Sequence, residues 1–215
     1  MPIDLAAATA AVAAADRSLA AFIRRAGPYG PRPGEGDALA SLARAIVFQQ
    51  LATGAAAAIH RRFVAAIGGS VTAAAILATP PEALRAAGLS GSKTVSLLDL
   101  AAKVADGTVP LDGIDALDDD EIVARLTTVR GIGRWTAEMF LLFELQRPDV
   151  WPVDDLGVRA GWKLIHDDPD LLKPKALQAA GDVFRPYRSV VALFCWHAVH
   201  VERGQVAPRR EIDPG

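Results

Sequence analysis

Apolar residues recur along this chain at helical spacing almost everywhere. Leu39, Leu42, Ile46 and Val47 fall on one face of a helix that opens at Asp37, a capping residue type, and runs past Gln50. An alanine-rich helix follows from Thr53 to Ile67 and stops at Gly68-Gly69. Thr79-Pro80-Pro81-Glu82 reads as a turn into a short helix, because proline is tolerated in a first helical turn. Gly88 ends that helix, and Lys93 to Val104 form the next, closed by Asp106-Gly107. The first 30 or so residues read as one helix followed by a Gly/Pro-rich loop from Gly27 to Gly36. Valine and isoleucine sit in helical spacings and not in period-two runs, so the expectation is an all-α protein with short connections. No internal repeat or long linker divides it, so residues 1–215 are expected to form a single domain.

Composition narrows the function by what it excludes. At 215 residues and 51 % apolar content, a sizeable core is expected. The net charge of −2 gives no global signature of a nucleic-acid binder, so contact with phosphate would have to come from local backbone amides and a few cations. A single cysteine, Cys195, rules out an intramolecular disulfide, a four-cysteine zinc site and a cysteine-ligated iron–sulfur cluster, and it reads as a small buried side chain. His60, His166, His197 and His200 lack metal-site spacing. Asp4 and Asp16 interrupt the alanine-rich start, unlike a signal peptide, and no apolar run reaches the roughly 18 residues of a membrane span. A soluble, cytoplasmic, monomeric protein is expected.

The stretch from Asp118 to Phe143 carries the first candidate chemistry. Asp118 with Glu121 has the form of a capping box, and Ile122 and Leu126 make an inward i,i+4 pair. Gly131-Ile132-Gly133 then turns the chain and leads into a second apolar face begun by Trp135, Met139 and Leu142. A glycine turn feeding a helix N-terminus can hold a phosphate oxygen on backbone amides alone. The same Gly-x-Gly would equally serve as a plain connector between two helices.

The second candidate lies in Trp151-Pro152-Val153-Asp154-Asp155-Leu156-Gly157-Val158-Arg159, which opens a helix with Val158, Trp162 and Ile165 on its apolar face. Two acids at a helix start ordinarily act as a cap and complement the dipole, an effect of about 0.3–1 kcal/mol. An acid some 20 residues beyond a glycine hairpin, after a Val-Asp sequence, also resembles the hallmark of the helix-hairpin-helix/Gly-Pro-Asp glycosylase superfamily.

Taken together, these segments resemble the helix-hairpin-helix/Gly-Pro-Asp superfamily of DNA glycosylases, with the hairpin at about 118–143 and the catalytic loop at about 151–159. Ala45-Ile46-Val47-Phe48-Gln49-Gln50-Leu51-Ala52 is similar to the Ile-x-x-Gln-Gln segment of the alkylpurine branch, that of 3-methyladenine DNA glycosylase II, although Ala52 replaces the usual serine. Gly88-Leu89-Ser90-x-x-Lys93, and Arg185-Pro186-Tyr187-Arg188-Ser189 followed by Trp196, resemble two further segments of that branch in the same order.

The resemblance implies a two-lobed helical fold with the active site in the cleft between lobes. It also implies Asp155 as the catalytic carboxylate, leaving Asp154 as the helix cap. Trp135 and Trp196 would wall the base pocket, with Phe48 and Tyr187 completing it, although each tryptophan would equally suit a core position. Gln50 would fill the gap left by a flipped base, and Gly131, Gly133, Arg134 and Thr136 would meet the DNA backbone. The partner would be duplex DNA carrying a damaged base. No cofactor is implied beyond a monovalent cation on hairpin carbonyls. Where bifunctional relatives carry a lysine nucleophile, this chain has Trp135, which implies a monofunctional enzyme leaving an abasic site. Two alternatives stand beside this reading: a glycosylase for other lesions, such as hypoxanthine, etheno-adenine or mismatches, and a non-catalytic DNA-binding module.

Overall fold

A computed structural model describes residues 4–27, 29–30 and 37–205. Among them the regular structure is helical throughout, as the spacing predicts. The chain divides into two compact units, one formed by Met1–Arg32 with Leu141–Gly215 and the other by Pro33–Phe140.

The first unit opens with α1 (Leu5–Ala15) and α2 (Arg17–Ala26). The single expected N-terminal helix is thus two. Asp16 leaves the helical region at φ −144° and ψ 125°, and its carboxylate accepts the Leu19 amide at 2.7 Å, starting a new helix where alanine content alone would have continued the old one. Most of the expected Gly27–Gly36 loop lies outside the described residues.

The second unit holds α3 (Ala38–Phe48), α4 (Thr53–Ala66), α5 (Ala73–Ala78), α6 (Pro81–Ala86), α7 (Gly91–Ala105), α8 (Asp119–Leu126) and α9 (Arg134–Met139). Asp37 caps α3 through the Ala40 amide, and Leu39, Leu42, Ile46 and Val47 are buried as their spacing requires. The helix stops at Phe48 and does not continue past Gln50. Gln49 is non-helical and Gln50 sits at φ +56°, a left-handed conformation that an L-residue adopts only when its surroundings enforce it. The expected capping box at α8 does not form. Asp118 stands at the cap position without a side-chain bond, and Glu121 pairs with Arg125 one turn on.

After α9 the helix widens into a π turn over Phe140–Glu144, and the chain returns to the first unit with α10 (Leu156–His166), α11 (Pro174–Gly181) and α12 (Arg188–Glu202). Helix α12 is the core of this unit, with Val190 through Cys195 buried without a break. Helix α10 packs closely against it because Gly161 has no side chain; the Cys195 backbone occupies the place a Cβ would take. Among the described residues no helix is long and apolar enough to cross a membrane.

Candidate functional site

In the first unit, the chain from 147 to 155 is held along its length by side chains and carbonyls of later elements. Arg188, itself buried, takes Asp149 with both forks of its guanidinium, Nε to Oδ1 at 2.7 Å and Nη2 to Oδ2 at 2.9 Å, and Arg185 adds a third bond at 2.9 Å. The Ser189 hydroxyl donates to the Arg147 carbonyl at 2.6 Å and accepts the Val150 amide at 2.8 Å. The Trp151 indole donates to the Leu177 carbonyl at 3.0 Å, in a space left open by Gly181. The Arg188-Ser189 pair is therefore a clamp on the stretch leading to Asp155, a role that the sequence pattern did not specify.

Asp155 ends this stretch and is itself the N-cap of α10. Its Oδ1 accepts the Val158 amide at 2.8 Å and the Trp196 Nε1–H at 2.9 Å. The expectation that Asp154 would cap the helix is corrected: Asp154 is exposed, and the register of α10 places the cap one residue later. Capping and candidate catalysis thus fall on one carboxylate. The Trp196 indole, half-buried, stacks on Phe143 at 5.7 Å and 27°. Gly157 makes room for it, since a Cβ there would lie 2.8 Å from Trp196 Cδ1. Of the candidate residues in this unit, Asp155 and Trp196 are brought together. Tyr187 is half-buried at the N-cap of α12, nine residues before Trp196.

The second unit carries the other candidates. Gly131 has φ +83°, and a Cβ on it would meet Ser96 Oγ at 2.5 Å, so two separate constraints require glycine there. Gly133 is the N-cap of α9 and has no side chain to take the first-turn amides. Arg134 is exposed and pairs with Glu138 at 2.9 Å. Thr136 is buried. Trp135 does not join the inward face that its spacing suggested. It is 48 % exposed, while of the other two residues expected on that face Met139 is half-buried and Leu142 is buried, beside Ala137, Phe140 and Leu141. Gln50 is exposed as well.

Phe48 is half-buried, and the Arg44 guanidinium lies 3.8 Å from its ring centre, so one face already holds a cation. His60 lies edge-on to the same ring, and burial, then the Arg44 charge, lowers its pKa. Sequence reasoning missed Arg44, Phe143 and Gln49. The first two are single residues whose partners lie one turn or fifty residues away. Gln49 stood in the quoted motif, but nothing in its spacing marked it apart from Gln50. Among the described residues no group of three or more His, Cys, Asp or Glu converges to hold a metal ion. The Thr128 and Val129 carbonyls of the hairpin accept hydrogen bonds from the Lys103 ammonium and the Ile132 amide respectively.

A glycine hairpin between two short helices, followed by a tethered aspartate at the head of a later helix, defines the helix-hairpin-helix class of DNA-repair proteins. Residues 43–186 match the model of the HhH-GPD superfamily of base excision DNA repair proteins, and the chain belongs to that family. It is 36 % identical over 158 residues to DNA-3-methyladenine glycosylase 1 of Schizosaccharomyces pombe, covering 72 % of this chain and 69 % of that relative. Of two further relatives, DNA-3-methyladenine glycosylases (one putative) of Bacillus subtilis and Saccharomyces cerevisiae, it spans 57 % and 66 % of the length. Two solved structures are similar at 30 % identity. The S. pombe 3-methyladenine DNA glycosylase in complex with abasic DNA gives a TM-score of 0.79, with 95 % of this chain and 99 % of that one covered. A Bacillus halodurans DNA-3-methyladenine glycosidase gives 0.82, covering 93 % and 92 %.

Proposed function

We propose that this protein is a monofunctional DNA glycosylase of base excision repair that releases alkylated purines such as 3-methyladenine or 7-methylguanine. The observation that carries the reading is the Asp155 carboxylate, held by an amide of its own helix and by the Trp196 indole. A base stacked in duplex DNA is out of reach, so the nucleotide is first extruded, at a cost of about a few kcal/mol. The bond from the sugar C1′ to the purine nitrogen then breaks and its electron pair leaves with the base, building positive charge on the sugar. A carboxylate already oriented before reaction stabilises that charge without reorganising. Water adds to C1′ and gives up its proton, leaving an abasic site. A purine alkylated at N3 or N7 is cationic and leaves readily, so no strong general acid is needed. Trp135 cannot form the Schiff base that strand cleavage by a lysine requires.

Base release from methylated duplex DNA tests this directly. Wild type should release 3-methyladenine or 7-methylguanine without nicking the strand. Asp155→Asn should slow release by about a hundredfold or more, the size of an electrostatic contribution to the transition state, with affinity for abasic duplex little changed. Binding without release from any alkylated, deaminated or etheno lesion would leave a DNA-binding module instead.

A further inference from the structure

One face of α7 reaches both loops through which the second unit would meet DNA. Lys93, Ser96, Asp99 and Lys103 follow at spacings of three, three and four and so share a side of the helix. The Lys93 ammonium donates to the Val47 carbonyl at 2.7 Å and the Gln49 carbonyl at 2.8 Å, closing the C-terminus of α3 just before the left-handed Gln50. Ser96 lies beneath Gly131. Asp99 accepts the Arg130 amide at 2.7 Å and the Lys103 ammonium at 2.8 Å, and Lys103 also reaches the Thr128 carbonyl. The Gln49 side chain joins the two loops directly, its Nε2 donating to the Gly131 carbonyl at 2.9 Å.

From this geometry we infer that Lys93 and Gln49 are positioning residues: they hold Gln50 in its strained, outward conformation, in register with the hairpin that Asp99 clamps. The inference rests on the reading above, in which Gln50 enters the gap left by the extruded nucleotide. A Gln50 turn that had to be ordered on binding would lose affinity to the entropy of ordering, whereas one held beforehand by Lys93 and Gln49 does not. The ammonium suits this task because the last carbonyls of a helix lack internal partners and carry its negative dipole end. The two loops would contribute differently. The hairpin amides bind phosphate in any duplex, while Gln50 acts only where a base is missing or extruded.

The test compares the affinities of wild type, Lys93→Met, Gln49→Ala, Asp99→Ala and Gln50→Ala for a duplex holding a tetrahydrofuran abasic-site analogue and for the same duplex undamaged. Lys93→Met should weaken binding to the abasic duplex by about tenfold, the size of a lost charge-assisted hydrogen bond, and change the undamaged duplex by less than about twofold. Gln49→Ala, a milder change in a partly exposed side chain, should lower the same ratio and decides the matter should Lys93→Met not fold. Asp99→Ala should weaken both duplexes alike. The double variant Lys93→Met/Gln50→Ala should bind the abasic duplex within about twofold of Gln50→Ala alone, because Lys93 acts through Gln50. Equal weakening of both duplexes by Lys93→Met or Gln49→Ala, a selective effect of Asp99→Ala, or independent effects in the double variant would overturn the inference. A wild type that does not prefer the abasic duplex would instead remove the reading beneath it, and the inference with it.

Discussion

Asp155 shows how one side chain can satisfy two demands that seem separate in a linear reading. As the cap of α10 it must lie beside the Val158 amide, and that bond also fixes the rotamer of the carboxylate proposed for catalysis. The Trp196 Nε1–H supplies the second tether on the same oxygen. Trp196→Phe keeps a ring to stack on Phe143 and removes only this donor. It should slow base release by about tenfold, as loss of a hydrogen bond to a charged group does, with affinity for abasic duplex close to wild type. An unchanged rate would confine Trp196 to packing.

Among elements, helix ends and helix crossings decide the geometry. Gly161 sets the distance between α10 and α12, and hence between the Asp155 end of one and Trp196 on the other. Gly161→Ala should destabilise the protein by about 1–3 kcal/mol, since the Cys195 backbone blocks the added methyl, and a thermal melt should fall by several degrees. Two caps that look alike in sequence should behave differently. Asp16→Ala removes a side-chain bond to the Leu19 amide and should cost about 1 kcal/mol. Asp118 makes no such bond and is followed by three further acids, so Asp118→Ala should stay within about 0.5 kcal/mol in denaturant melts.

For the whole molecule, acid sensitivity should reflect two histidines partly or wholly removed from water. Burial lowers the pKa of His60, with help from Arg44, and of His197, which stacks on Tyr29 with His200 one turn away. In the unfolded chain these rings take up protons near the ordinary value of 6.5, whereas in the folded chain they do so only at lower pH. The unfolded state therefore binds more protons in the window below 6.5, and stability should fall as pH is lowered from 7 toward 5. A melting temperature constant over that range would contradict this. Asp99 contributes in a separate window. Burial alone would raise its pKa, but the Arg130 amide and Lys103 outweigh that and hold it below 3.8, so its stabilisation is lost only in stronger acid.

Helical spacing and glycine punctuation were enough to determine the fold class and the position of the hairpin, and a resemblance carried by short motifs in order pointed to the family and to Asp155 as the candidate carboxylate. These are local properties: a period, a turn that needs a left-handed residue, an acid at a helix start. Tertiary structure decided that Asp155 and not Asp154 is the cap, because α10 settles its register against α12. It turned Trp135 outward while Ala137 and Phe140 took the buried side, and it stopped α3 at Phe48, where Lys93 takes the last carbonyls from a helix 45 residues on. Each of these outcomes depends on a partner far away in the chain, and spacing along one helix carries no record of which distant side chain will meet it.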